Sequence, residues 1–464
     1  MSSPSPSSSS SLSGQGKEAA AADAASLASP KSAHNAHHCV LDLPDDNSSG
    51  LGQPKARRQM ACYRRMGLCM GRVGKRFGSM VAGACLLAVV LIPLHESTII
   101  SPYNFRSMGF DWKTNPRDHL VPADPEYSDY NVLVDGHSHT TLSDGRLTPE
   151  QLVEYSIAQG FNALIVTDHN TVAGGLRAEK YARDKYPGRF VVIPGMEYSN
   201  CRLHMNLINI NTTIADGDTS FPSDAEIRHV IARTHELGGL AIVNHIPWST
   251  RILERLDKPR LPAHPSIQAL VEWGVDGFEV INQATFDMPT FQYMQGLRHN
   301  HTRTQADAPP GLLFMTGSDI HTPGKAYAWT VLRTPDLSRD AIMQEISNGR
   351  TSYLFDPTGN RAGDLPGYSS RYLALAPLHG LGGYISSFYD RYSGQYSFHG
   401  THCQRDVVDV HGTSIGFLVL YVAIAAILAE SFVGLFRRIR HLGVSLWNTH
   451  GSRLCSRQQP GPAA

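Results

Sequence analysis

Net charge is the first thing this chain lacks. Its 464 residues carry 41 Lys plus Arg and 41 Asp plus Glu, a formal net charge of zero. A balanced chain has no bulk attraction for polyanions, so no nucleic-acid partner is expected. Cysteine is scarce: of seven, Cys39, Cys62, Cys69, Cys85 and Cys455 lie towards the ends, leaving only Cys201 and Cys403 in the long middle of the chain. Two cysteines define no framework, and whether they pair stays open. Large apolar residues are few in 1–54, a stretch dominated by Ser, Ala, Pro and Asp. It cannot bury enough surface to offset chain entropy and reads as disordered. Acidic residues are absent from 55–76, where Lys55, Arg57, Arg58, Arg64, Arg65, Arg72, Lys75 and Arg76 stand uninterrupted.

Two apolar runs supply what those ends lack. The first, FGSMVAGACLLAVVLIPL, follows the basic block at once, and the second, SIGFLVLYVAIAAILAESFVGLF, occupies 414–436. A bilayer needs about 20 apolar residues, so both read as transmembrane helices, at 77–97 and 414–436. Glu430 inside the second reads as a carboxylate at headgroup level. Arg437, Arg438, Arg440 and His441 follow it. Both basic blocks lie outside the interval between the spans, so the positive-inside rule places both termini in the cytoplasm, as tails 1–76 and 437–464. The middle then faces a lumen or the exterior, where the sequons at Asn211 and Asn300 would be glycosylated and that at Asn47 would not. Cys62, Cys69 and Cys455 are juxtamembrane and open to acylation or to no modification at all.

The middle, 127–356, alternates strand and helix patterns. Apolar runs at 131–135, 163–166, 190–193, 203–210, 240–243, 277–281, 312–315 and 329–332 read as strands. Thr148-Pro149-Glu150-Gln151 and Ser223-Asp224-Ala225-Glu226 are capping boxes that open helices, and Gly160, Gly238-Gly239 and Asn348-Gly349 close them. Such alternation predicts a parallel sheet closed into a barrel. Residues 357–412, rich in Gly, Tyr, Ser and His, read as an aromatic juxtamembrane connector, with a substrate-facing lid as the alternative.

Nearly every predicted strand ends in a metal-type ligand. His137-Ser138-His139 and Asp144 follow the first, His169 the second and Glu197 the third; His204 opens the fourth, His245 follows the next, and Asp319 and His321 close the set. His and carboxylate clusters without cysteine are how proteins hold two or three divalent ions for hydrolysis, and active sites of α/β barrels gather at strand C-termini. Asp168 reads either as a proton donor to a leaving oxygen or as a carboxylate orienting a neighbouring His. Arg146, Arg202 and Lys325 flank ligand motifs and are candidate substrate clamps or plain surface charges. Glu279 and Asn282 line the barrel; His229, His235, His264 and His299 read as ordinary helix or surface residues.

The motifs DGHSHTTLSDG, TDHNT, GMEYS, HMNLINI, GVDGFEVIN and GSDIHTP together resemble the polymerase and histidinol phosphatase (PHP) family, over residues 131–355. One departure is the proline of Asn244-His245-Ile246-Pro247, one place later than the family's frequent His-Pro. The resemblance implies an α/β fold, a distorted (β/α)7 barrel of PHP type, here flanked by two transmembrane helices. It implies a centre of two or three divalent ions (Zn, Mn or Fe) on nine ligands. His137, His139, Glu197 and Asp319 would hold one ion. Glu197 would bridge to a second, with His204 and His245, and Asp144, His169 and His321 would hold a third. The expected activity is a membrane-anchored metal-dependent phosphoesterase, with Asp168 and Arg202 as catalytic candidates. Its substrate would be a phosphorylated small molecule or a lipid head group. Hydrolysis of a non-phosphate bond, and a non-catalytic metal-binding scaffold, are the alternatives.

Overall fold

The computed structural model describes residues 54–96, 102–215, 219–304, 311–360 and 366–455. The expected disordered stretch, Asn47 and Cys39 fall outside them, as do the side chains of Asn300, His299 and Cys455. The chain divides into two compact units, 1–67 and 68–464; of the first only the start of helix α1 is described, and every strand belongs to the second.

Helix α1 (Pro54–Glu96) and helix α10 (Gly412–Cys455) contain stretches long and apolar enough to cross a membrane, Cys62–Glu96 and Gly412–Ser445. Most of their leucines and valines are exposed, Leu86 at 72% and Leu428 at 63%, while Leu91 is buried. Arg76 Nε donates to Glu430 Oε2 at 2.7 Å, with Arg72 3.7 Å from the same carboxylate. Glu430 is thus the acceptor of the basic block that precedes the first apolar run.

Between the helices lies a ten-stranded mixed sheet. Its ordered path is β10 (Leu313–Gly317), β8 (Gly277–Asn282), β5 (Leu240–Val243), β4 (His204–Ile208), β3 (Val191–Ser199), β2 (Ala163–Val166), β1 (Val132–Asp135), β11 (Ala328–Leu332) and β12 (Ser352–Phe355). The short β9 (Thr285–Phe286) is added to β8. β1, apolar up to its closing Asp135, and β2, apolar throughout, are buried at every position, as expected of strands covered on both faces. α2 (Pro149–Ala158) begins at the predicted capping box, with Thr148 and Gln151 reciprocally bonded, and the chain turns away at Gly160 with φ of +86°. α3 (Ala173–Lys185) approaches closely through glycine: a Cβ on Gly175 would sit 3.0 Å from Pro194 of β3. α4 (Asp224–Glu236) starts at the Ser223–Glu226 box.

Three apolar layers result. Val134, Ile165, Ile193, Ile242 and Met315 form the inner one, stoppered by Ile342 and Ile346 of α8 (Arg339–Ser347). Leu133, Leu164 and Val166 face outward onto α2 and α3, and Met205, Leu207 and Phe278 onto α4 and its neighbours. Each fully buried Leu or Ile contributes about 1.5–3 kcal/mol.

The repeated parallel barrel is met only in part. β1, β2, β3, β5, β8 and β10 run one way, but β4 and β11 run against their neighbours. β10 and β12 are the two ends of the sheet and share no ladder. The sheet instead curls until the segments after β10 and β1 meet, through Gly136 N to Thr316 O (3.1 Å), Asp319 N to His137 O (2.9 Å) and His139 N to Ile320 O (3.2 Å).

Residues 357–412 are structured among the described residues. They form α9 (Ser370–Ser386) and a hairpin of β13 (Tyr389–Tyr392) and β14 (Val407–Val410). After His245 come α5 (Ile246–Thr250), a hairpin of β6 (Ile252–Leu253) and β7 (Lys258–Pro259), and α6 (Ile267–Glu272); α7 (Met288–Thr304) follows β9.

Candidate metal centre

All nine expected ligands meet at one rim of the sheet. His137 and His139 leave β1, His169 leaves β2, Glu197 lies in β3, His245 leaves β5, and Asp319 and His321 leave β10. His204 reaches the same rim because β4 is antiparallel: its first residue pairs with Ser199 at the end of β3. His245 and Asp319 hold positive φ, +26° and +46°. Non-glycine residues take that conformation at a cost, and it clusters at functional sites.

The ligand atoms fall into four overlapping groups, each spanning no more than 4.8 Å: His139, Asp144, His169 and His321; His137, His245 and Asp319; His137, His139 and Glu197; and His169, Glu197 and His204. The expected partition shifts accordingly. His139 joins the Asp144 group, His245 sits with Asp319, and His204 shares Glu197 with His169. Glu197 is nonetheless central. Its Oε1 lies 3.1 Å from His204 Nδ1 and 3.2 Å from His245 Nε2, while its Oε2 lies 2.8 Å from His169 Nδ1.

Charge in this cluster is strongly perturbed. Burial would lower the pKa of His137, yet Asp319, Glu279 and Glu197 hold it well above its ordinary value. Burial and the neighbouring His169 push His139 down to about 3, and burial takes His204 to about 4. Burial would raise Glu197, but His204, His169 and His137 hold it well below the carboxylate range; Asp319 is lowered likewise, chiefly by His137. Such a knot of buried carboxylates needs positive charge among them.

The donor set fits divalent ions. His137 Nε2 and His139 Nε2 point at each other 3.0 Å apart, and His139 Nδ1 and His204 Nε2 are buried with no hydrogen-bond partner among the described residues. Imidazole nitrogens and carboxylate oxygens of this kind suit Zn, Mn or Fe.

A supporting shell fixes the ligands. Glu279, read from sequence as barrel lining, lies 3.1 Å from His137 Nδ1 and accepts from His245 N at 3.1 Å and from Asn282 Nδ2 at 3.0 Å. A carboxylate on Nδ1 sets the tautomer that turns Nε2 to the centre. Asn244 Nδ2 donates to Glu197 Oε1 at 2.8 Å. Asp168 accepts from Thr140 N, Thr140 Oγ1 and Ser143 Oγ, each at 2.7 Å, so it staples the loop that carries Asp144.

The expected cations are placed differently. Arg202 Nη1 lies 2.7 Å from Asp224 and donates to Pro222 O, and its Nε donates to Ala263 O. Lys325 donates to Thr358 O. Arg146 touches the ligands through its backbone, N to His321 O at 2.7 Å. A residue missed in the sequence, Arg260, stacks 3.8 Å over Trp248, whose ring packs 4.7 Å from His245. His264 is half-buried, and burial holds its imidazole down to about 4.

A roof covers the rim. Cys201 and Cys403 form a disulfide, and between them Phe398, at φ +59°, lays its ring 3.5 Å from that of His169. Gln404 Nε2 anchors the same segment to Pro259 O (2.9 Å) and Arg260 O (3.0 Å). Phe398 lies in the 357–412 stretch, whose alternative reading is a substrate-facing lid; no local signal singles it out within that stretch.

Residues 135–245 match the family model of the PHP domain. The chain contains a PHP domain. The match holds seven of the nine ligands, His137, His139, Asp144, His169, Glu197, His204 and His245; Asp319 and His321 lie beyond it, in the same cluster. The chain is similar to the 5′-3′ exoribonuclease Rnm of Escherichia coli, 40% identical over 91 residues, 18% of this chain and 30% of that one. It is also similar to the 5′-3′ exoribonuclease of Haemophilus influenzae, 48% identical over 50 residues, 11% of this chain and 18% of that one. The chain therefore spans less than a third of the length of these curated relatives. A two-domain protein of Bacteroides vulgatus containing a predicted PHP-like metal-dependent phosphoesterase is similar in structure at 17% identity. It covers 62% of this chain and 77% of that one, with a TM-score of 0.39.

Proposed function

We propose that the protein is a membrane-anchored, metal-dependent phosphoesterase. The observation that carries this reading is the convergence of nine His, Asp and Glu ligands in four overlapping groups, seven of them within the residues that match the PHP domain. Divalent ions bound there would lower the pKa of water towards neutrality and offset charge on phosphoryl oxygens. The chain's own residues prepare that chemistry. Glu279 holds His137 in one tautomer, Asn244 orients Glu197, and Asp168 acts as a positioning residue that fixes the Asp144 loop. Its three accepted hydrogen bonds leave it poorly placed as the proton donor. Arg260 takes the clamp role proposed for Arg202, whose guanidinium is committed to Asp224. Phe398 keeps bulk water from His169.

Two spans with both termini cytoplasmic, and the PHP domain luminal or extracellular, fit the basic blocks and the Cys201–Cys403 disulfide, since disulfides persist in oxidising compartments. Protease added to sealed microsomes should spare the domain; its digestion would reverse the orientation.

A second reading has its own support. The relatives carry exoribonuclease names, whereas the expectation of no nucleic-acid partner rests on net charge alone. An RNA phosphodiester therefore joins the phosphorylated small molecule and the lipid head group as a substrate class. Full-length protein in detergent, loaded with Mn or Zn, is assayed on an aryl phosphate monoester, an aryl diester and a 5′-phosphorylated oligoribonucleotide. Turnover of any one that is lost in Asp319→Ala supports the reading. A metal-loaded protein inert on all three contradicts it.

A further inference from the structure

A cavity of about 610 Å³ opens beside the ligand loop. Arg106, Arg146 and Arg371 line it, with Thr141, Gly145 and Ser369 between them. The three arginines come from distant places. Arg106 is on the turn Phe105–Ser107, soon after the first apolar helix; Arg146 is two residues past Asp144; Arg371 is in the first turn of α9. Among the described residues none of the three has a carboxylate partner. In a second cavity lined by Arg251, Arg255, Arg260 and Arg391, two of the four are neutralised, Arg255 by Asp409 and Arg391 by Asp406. Arg371 also stands at the positive end of a 17-residue helix, where a cation is unfavourable. Three like charges and a helix N-terminus gathered without a counter-charge describe a receptor for an anion.

The same helix says where the anion comes from. α9 exposes Leu373 (57%), Leu378 (42%), Leu381 (44%) and Tyr384 (51%). At 100° per residue these fall within an arc of about 140°. Its glycines ride on the end of the first apolar helix: a Cβ on Gly382 would lie 2.5 Å from Leu91 O, and one on Gly383 2.9 Å from the His95 ring. Gly382 and Gly383 fall at about 180° and 280° on the same wheel, counted from Leu373, so the exposed leucines of α9 are turned away from that contact while the helix itself is docked on the first apolar helix. With α1 in a bilayer, α9 lies at its surface with those leucines in the acyl region.

We infer that the Arg106–Arg146–Arg371 cavity binds the phosphate-bearing headgroup of an anionic lipid whose chains lie along α9. The inference shares with the proposed function only the placement of the spans in a membrane, and needs no catalysis. Full-length protein in a nonionic detergent with a metal chelator is offered phosphatidic acid or phosphatidylcholine of the same chains. Retained lipid is counted by native mass spectrometry. Phosphatidic acid should be retained at least about tenfold better, a preference worth one or two charge-assisted hydrogen bonds. The combined variant Arg106→Gln, Arg146→Gln, Arg371→Gln should lose the preference, and the three Arg→Lys changes, which keep charge and fold, should retain most of it. His137→Ala should retain it fully, which separates this site from the metal centre. Wild-type protein without the preference, or a Gln variant that melts as wild type and keeps it, overturns the inference. So does displacement of the lipid by inorganic phosphate at equal concentration, which would mark a free-phosphate site.

Discussion

Removing the disulfide tests whether the roof is held over the metal centre by one covalent tie. The double variant Cys201→Ser, Cys403→Ser breaks a cross-link between residues 202 apart. For a closed loop of that length, the chain-entropy contribution is about 5 kcal/mol at 25 °C, taken as a ceiling. The other ties include two bonds from Gln404, Arg260 Nε to Gln395 Oε1 at 3.3 Å, Asn170 Nδ2 to His399 Nε2 at 3.5 Å, and two hydroxyl contacts of Ser220, with Ser397 at 2.9 Å and Thr401 at 2.7 Å. Each such neutral bond contributes about 1 kcal/mol net. Even half of the cross-link's ceiling raises the population of an open roof about a hundredfold. Hydrogen exchange of full-length protein in detergent reads this directly. Amides in 394–404 should exchange about a hundredfold faster in the variant, with those of α2 unchanged. An unchanged roof would show that packing of Phe398 on His169 suffices without the disulfide. Equal acceleration in α2 would show that the cross-link supports the whole barrel rather than the roof. Either result refutes the reasoning.

Asp168→Asn weakens three hydrogen bonds to a carboxylate, each worth about 1.5–3 kcal/mol. Metal titration should show affinity at the Asp144 group falling by about 10–100-fold, as for other supporting-shell changes; unchanged affinity would mean that the loop holds itself. Leu164→Ala empties a fully buried position in β2. It should cost about 2–5 kcal/mol in denaturant unfolding, and a loss under 1 kcal/mol would contradict the packing described. Glu154 shows how stability should follow pH. Partial burial raises its pKa, but donation from Lys185, Tyr181 and Tyr186 outweighs that and holds the carboxyl below its ordinary value. A depressed folded pKa gives stability that is present above the unfolded carboxylate range and lost as pH falls through the folded value. Glu154→Gln should therefore flatten the acid limb of a thermal-melt profile, and an unchanged acid limb would remove Glu154 from the account.

What the sequence made legible follows from locality. β1, β2 and β5 are short apolar runs, and the ligands follow them within a few residues, so strand ends and ligand positions could be read together. Capping boxes at Thr148 and Ser223 are likewise local, and both helices start there. Direction was not legible. A strand buried on both faces, as β4 is, shows the same pattern whichever way it runs, so an antiparallel member passed for another parallel one. Its direction is what brings His204 to the rim. Long-range partners were invisible for the same reason. Glu279 reaches His137 across 142 residues and Arg76 reaches Glu430 across 354. Phe398 sits in a Gly- and Tyr-rich stretch with no periodicity to mark it. Arg202 was chosen for standing beside a ligand motif, yet Asp224 holds it, and Arg260 approaches the centre from a loop without a motif.

The central claim is that the rim holds divalent ions, and metal content tests it most directly. Full-length protein purified with Mn and Zn available is analysed by elemental mass spectrometry beside Glu197→Gln, a change in the one carboxylate that belongs to two of the ligand groups. The account predicts two or three ions per chain in the wild type, and the loss of at least one in the variant. A wild-type protein that carries none, or a variant that carries as many, would contradict it.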